Sequence, residues 1–170
     1  MNRRGTGDEI RALLKTLRDR IPDLVLRTSL ITGLPGEGTA EFEELLDWLN
    51  EVRIERVGVF PFSPEEGTPA AGMEHCDAEE AARRAELVLE LQGRILDEFA
   101  ERQVGRCIPV LIEGPWEEDG GYMTGRTWAD SPEIDSFAVV DGDCRPGEIV
   151  PVRITRAENG ILYGEAEVSC

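Results

Sequence analysis

Residues 27–49 read RTSLITGLPGEGTAEFEELLDWL, and this stretch decides the fold. From Leu24 to Thr32 the chain is apolar and β-branched, interrupted by Arg27, which is the pattern of a buried strand. Gly33-Leu34-Pro35-Gly36 stops that run sharply. Phe42, Leu45, Leu46 and Leu49 then recur at helical spacing and form one apolar face. The reading is strand, glycine turn, helix. The first N–H groups of such a helix lack intrahelical partners and face the turn, and glycine lets a ligand come close to that backbone. A nucleotide-like ligand at the C-terminal edge of a parallel strand suits this geometry. A tight strand-to-helix loop with no ligand uses the same residues. The turn is not a phosphate loop, since no Gly-Lys-Ser/Thr follows, and it is not G-x-G-x-x-G.

Outward from there, 170 residues make one domain or two small ones. No run approaches the ~18 apolar residues of a membrane span. The basic start Met1-Asn2-Arg3-Arg4 leads into Gly5-Thr6-Gly7-Asp8-Glu9, where a signal peptide needs an apolar stretch. A cytoplasmic protein with no membrane partner is expected. Net charge is −17. That argues against binding a phosphate backbone and favours a basic partner or simple solubility. The four cysteines, Cys76, Cys107, Cys144 and Cys170, make no C-x-x-C or C-x-x-x-C, so neither a zinc ribbon nor a local iron–sulfur motif is present. Reduced thiols are the expectation. His75, the single histidine, lies in a polar stretch and is expected at the surface.

Upstream, Thr6-x-x-Glu9 is a capping box for a helix whose stripe is Ile10, Leu13, Leu14 and Leu17. Gly38 stands where a Ser or Thr cap is usual, and Thr39 is the substitute expected. Downstream, Arg56–Phe62 (RVGVFPF) is a second strand, followed by the turn-rich Ser63–Pro69. Asp77-x-x-Glu80 opens the longest helix, running to about Gln103, with Ala81, Ala85, Val88, Ile95 and Phe99 on one face. Past Gly105 the pattern changes to five short strands: 107–112, 122–128, 136–140, 149–155 and 161–168. They predict a small barrel of the oligonucleotide-binding (OB-like) sort. The fold class is therefore α/β followed by all-β, with domains at 1–103 and 104–170. Two parallel strands cannot close a core on both faces, so residues 1–100 read as the tail of a larger (β/α) domain.

These residues resemble a known family. IRALLKTLRDRIPDLVLRTSLITGLPGE, EFEELLDWL and ERVGVFPFSPEEGTPAA are similar to the C-terminal half of the radical S-adenosylmethionine (SAM) domain of methylthiotransferases. GRTWADSPEIDSFAVV is similar to the start of their TRAM domain, a small β-barrel. Glu65-Glu66-Gly67-Thr68 and Asp130-Ser131-Pro132-Glu133-Ile134-Asp135 resemble the branch that modifies a ribosomal protein more than the branch that modifies tRNA adenosine. Residues 101–170 carry six basic and fourteen acidic side chains, a net −8, which suits a basic protein and repels RNA.

The resemblance implies a transferase that adds a methylthio group to the β-carbon of an aspartate in the twelfth small-subunit ribosomal protein. It implies SAM and [4Fe–4S] clusters as cofactors of the full-length family. The cluster-binding C-x-x-x-C-x-x-C is absent from this chain, so it implies a C-terminal fragment, inactive alone, whose partners are the N-terminal portion and the basic ribosomal protein. It places Gly33, Pro35 and Gly36 along the SAM, at the mouth of a barrel. Arg27, on a buried strand, pairs with a bound carboxylate or an internal acid. Phe62 contacts adenine or packs in the core. Asp130, Glu133 and Asp135 contact the substrate or form a solvated turn. Leu34 stands for the family's usual Phe, Gly38 for Thr and Phe62 for Tyr. The alternatives are a tRNA-modifying relative and a TRAM module that binds without catalysis.

Overall fold

The computed structural model describes residues 5–118 and 120–167. It forms two compact units, Met1–Ile95 and Leu96–Cys170.

In the first unit, α1 (Gly7–Arg20) begins at the expected capping box. Thr6 N–H donates to Glu9 Oε2 at 2.8 Å, and Glu9 N–H donates back to Thr6 Oγ1 at 3.3 Å. Strand β1 is Arg27–Thr32 and β2 is Arg56–Pro61. They pair in parallel, in register from Arg27↔Arg56 to Thr32↔Pro61. Between them lies α2 (Thr39–Val52), and a short 3-10 turn at Pro69–Gly72 precedes α3 (Ala78–Glu101).

One face of this two-stranded sheet meets the helices. Phe42 and Leu49 of α2 cluster with Val57 of β2 and with Val88, Leu91 and Ile95 of α3, and Leu30 and Val59 pack against them. Burying each such side chain contributes roughly 1.5–3 kcal/mol. The other face carries Arg27, Ser29, Ile31, Gly58 and Phe60 by strand alternation. It is open enough to leave Phe60 58% exposed. Arg18 ties α1 to the end of α2. It donates to the Val52 carbonyl, to the Arg53 carbonyl at 2.7 Å, and to the buried Glu55 at 2.9 Å. A cation there satisfies the last, partner-less carbonyls of the helix.

Several expectations change. The first strand starts at Arg27 rather than Leu24, and Arg27, at the strand's first position, is exposed rather than buried. Phe62 lies just past β2, although its N–H still continues the ladder to the Thr32 carbonyl at 2.8 Å. Thr39 is the first residue of α2, not its cap. Gly38 holds that position, and its N–H is taken by Glu41 Oε2 at 2.9 Å. His75 is half-buried, edge-on to Phe62 with ring centres 5.2 Å apart. Cys107 is disulfide-bonded, against the expectation of reduced thiols, while Cys76 and Cys144 are free. Sequence spacing does not reveal which sulfurs come within bonding distance in space.

The second unit is a closed five-stranded barrel in the order β3-β4-β5-β7-β6. Its strands are β3 (Cys107–Pro115), β4 (Met123–Arg126), β5 (Ala138–Asp141), β6 (Ile149–Glu158) and β7 (Ile161–Ala166). All five expected strands exist. Their limits move by up to three residues, and Val168, expected in the last one, lies outside the described residues. Ile108, Val110, Ile112, Val140, Val152, Ile154 and Leu162 fill the interior. Strict alternation puts them there. Parallel β5–β7 pairing and antiparallel β3–β6 pairing close the barrel and leave no edge.

Candidate functional site

At the C-terminal ends of β1 and β2, on the open face of the sheet, lies an apolar cavity of about 680 Å³. Ile31, Pro35, Phe60, Phe62 and Met73 line it, with Thr68 and Glu65 supplying polar groups at its wall. Its size falls in the range of small-molecule sites, and its lining is mostly apolar as theirs is.

The turn beside it is built by the sequence LPGE. Glu37 N–H donates to the Leu34 carbonyl at 2.9 Å, with Pro35 and Gly36 between them. Gly36 has φ +87°, so proline then a left-handed glycine meet the needs of a type II turn. Gly33, at φ +79°, serves packing instead. A Cβ there would fall 2.6 Å from Ala81 Cβ and 2.9 Å from Cys76 Sγ. Thr32, fully buried, donates its hydroxyl to the Ala81 carbonyl at 2.9 Å. The start of α3 therefore lies directly against the end of β1.

A buried ion cluster fixes the turn. Glu37 Oε1 accepts from Gly33 N–H at 2.7 Å and from Arg84 Nη1 at 2.9 Å. The Arg84 side chain is 7% exposed and that of Glu37 is 12% exposed. Arg84 also donates through Nε to Glu80 at 2.8 Å, donates to the Glu37 carbonyl at 3.0 Å, and lies 5.3 Å from the centre of the Phe42 ring. Hydrogen bonds from Arg83 and Arg84 hold the Glu80 carboxyl down at about 2. The same bond with Glu80 raises the Arg84 guanidinium further.

The expected cofactor residues separate on this geometry. Pro35 and Phe62 line the cavity together. Gly36 is exposed at the turn, with nothing within 4 Å of a would-be Cβ. Gly33 is buried, and its N–H is already taken by Glu37. Arg27 begins β1, at the other end of the strand from the cavity. Glu37 and Glu41 occupy the N-terminal approach to α2, so a ligand's negative charge is repelled there. The apolar cavity, rather than the helix start, is the surface open to a ligand. Phe60 and Met73 escaped the sequence reading. RVGVFPF reads as a strand, and its pattern does not show which side of the sheet leaves Phe60 exposed.

In the barrel, Asp130 Oδ2 accepts from Thr127 N–H at 2.9 Å and from its hydroxyl at 2.7 Å. Asp135 Oδ2 accepts from Ser131 N–H at 2.6 Å. Both acids are half-buried and hold the loop's own backbone. Glu133 is exposed, at φ +62°.

Cys107 is already bonded, Cys76 and Cys144 lie in different units, and among the described residues no three His, Cys, Asp or Glu side chains converge as metal ligands. No helix among the described residues is long and apolar enough to cross a membrane.

Residues 104–166 match the TRAM domain family. The chain is 47% identical over 158 residues, 91% of its length, to the ribosomal protein uS12 methylthiotransferase RimO of Anaeromyxobacter sp. (strain Fw109-5), covering 33% of that protein. It is 44% identical over 171 residues to the same-named protein of Lachnoclostridium phytofermentans, which is 98% of this chain and 38% of the relative. It is 38% identical over 165 residues to that of Thermotoga petrophila, 96% of this chain and 38% of the relative. The chain thus spans about a third of the length of the curated relatives it matches, in their C-terminal part.

Proposed function

We propose that this chain, which matches the C-terminal part of the uS12 methylthiotransferases, serves as the back portion of a radical SAM enzyme. That enzyme adds a methylthio group to the β-carbon of an aspartate in a small-subunit ribosomal protein. The observation that carries the reading is the identity of 38–47% across at least 91% of the chain to enzymes so named. The acidic barrel agrees with it, because a net −8 over residues 101–170 attracts a basic protein and repels tRNA.

The cavity beside Pro35 and Phe62 takes the adenosyl end of SAM, whose adenine ring matches the flat rings of Phe62 and Phe60 and the apolar side chain of Ile31. When bound, that group supplies the carbon radical and the methyl group of the family's chemistry. The part of this chain is to bind and orient it and to keep water from its apolar side. Arg84 and Glu37 position the turn that carries Pro35. The sequence holds no C-x-x-x-C-x-x-C cluster motif, so the chain by itself transfers no methylthio group, and its working partner is the N-terminal portion of such an enzyme in the cytoplasm.

Binding of the purified chain to recombinant uS12 and to tRNA tests the reading. At low salt the ribosomal protein is expected to bind and tRNA to bind at least about tenfold more weakly. Tighter, salt-sensitive binding of tRNA would move the function to the tRNA-modifying branch. For the cavity, S-adenosylhomocysteine should shift the NMR signals of Phe62 and Met73, and Phe62→Ala should weaken its binding by about tenfold. Shifts confined to the barrel would place the nucleoside elsewhere.

A further inference from the structure

We propose that the outer face of the barrel carries a subsite for one cationic side chain, an arginine or lysine presented by a basic polypeptide. It lies in the pocket formed by Trp116, Tyr122, Tyr163, Asp141 and Glu165. This deepens the reading of the barrel as the part that grips a basic protein, and it rests on that reading for the identity of the partner.

The pocket follows from strand register. In the parallel β5–β7 pair, Val139 lies opposite Tyr163 and Asp141 opposite Glu165. Their neighbours Val140 and Leu162 fill the interior, so these four side chains point outward by alternation. Trp116 follows β3 and Tyr122 precedes β4. Trp116 N–H donates to the Tyr122 carbonyl at 2.9 Å, which brings their rings together over this face. Trp116 stands edge-on to Tyr122, with centres 6.1 Å apart, and edge-on to Tyr163 at 6.4 Å. The space enclosed is about 380 Å³, with Val139 at its floor.

Three features select a cation. Aromatic faces attract an ammonium or guanidinium through the ring quadrupole. The protein's own Arg156 shows that chemistry here: its guanidinium stacks 3.4 Å from the centre of the Tyr163 ring while pairing with Glu158 at 2.7 Å. Second, the side-chain carboxylates of Asp141 and Glu165 have no ion-pair or hydrogen-bond partner among the described residues, although Arg156 lines the same pocket. Third, like charges opposite each other across two strands destabilise the sheet. An incoming cation converts that repulsion into two attractions. Aromatic side chains on a small barrel also serve as stacking platforms for single-stranded nucleic acid. Here two unpaired carboxylates at the same pocket repel a phosphate backbone, so the cationic side chain is favoured.

The test uses the whole chain and calorimetric titration with a short, unstructured arginine-rich peptide, its citrulline copy and a pyrimidine RNA oligonucleotide. The arginine peptide is expected to bind and the citrulline copy to fail. Asp141→Asn with Glu165→Gln should weaken binding by about tenfold, and Trp116→Ala with Tyr122→Ala by about fivefold or more. Glu43→Gln with Glu44→Gln removes two exposed charges from α2 and should change affinity less than about twofold. Asp141 and Glu165 are exposed, so their neutralisation leaves the fold intact and keeps the test valid even if the aromatic variant unfolds. Equal weakening by the two charge-removing variants would mean a diffuse field and overturn the subsite. So would RNA binding more tightly than the peptide and being lost with Trp116 and Tyr122. If the peptide results hold while uS12 does not bind, the subsite stands and the assignment of its partner falls.

Discussion

Gly33 and Gly36 look alike in the sequence and do different work. Gly33 combines φ +79° with a would-be Cβ only 3.2 Å from the Ala81 backbone, so any side chain must push α3 away from β1. Gly33→Ala is expected to cost about 3 kcal/mol. Gly36 has only its φ to lose, and Gly36→Ala should cost about 1 kcal/mol. Urea denaturation of the two variants checks the ordering, and equal costs would mean that α3 yields easily. Arg84 is the third residue on which the turn depends. Arg84→Met leaves the Glu37 carboxylate buried without its cation, and a loss of about 3 kcal/mol is expected in the same measurement. None of these distinctions is written in the GLPGE stretch, because the atoms that decide them, from Cys76 just before α3 and from Ala81 and Arg84 within it, come from a distant part of the chain.

The start of α3 is the element that holds the turn and the sheet end together. Asp77 Oδ1 accepts from Glu80 N–H at 2.8 Å and caps the helix, while Glu80 gathers Arg83 and Arg84. The Glu80 carboxyl is lowered from 4.5 to about 2 by those hydrogen bonds. A depressed folded value means that its contribution is complete above about 4.5 and is lost as pH falls through about 2. Glu80→Gln should therefore be less stable than the native chain above pH 4.5, and the gap should close between 4.5 and 2. Denaturant titrations across that range read the difference, and a gap that persists at pH 2 would mean a role other than charge. The barrel strands are the other informative element. Val140→Ala, at a fully buried position, should destabilise by about 2–3 kcal/mol without changing which strands pair.

Across the whole molecule, a net charge of −17 sets how it meets partners. Binding to a basic protein should fall by about tenfold between 50 and 300 mM salt, while an affinity indifferent to salt would point to apolar contacts instead. The sequence by itself determined the succession of α/β and all-β parts, the capping box of α1, the five barrel strands and the family resemblance. Each of these is local: periodicity, turn chemistry and short motifs act within a few residues. Tertiary structure alone decided that Arg27 is exposed, that Gly33 lies against the start of α3, and that Asp130 and Asp135 bind their own loop. It also decided that Phe60 and Phe62 flank an open cavity, and that Trp116, Tyr122 and Tyr163 share a pocket with two unpaired acids. Those outcomes depend on which elements pack together and on which sheet face is left uncovered. Burial and close approach are properties of the packed chain in space, and local residue patterns do not encode them.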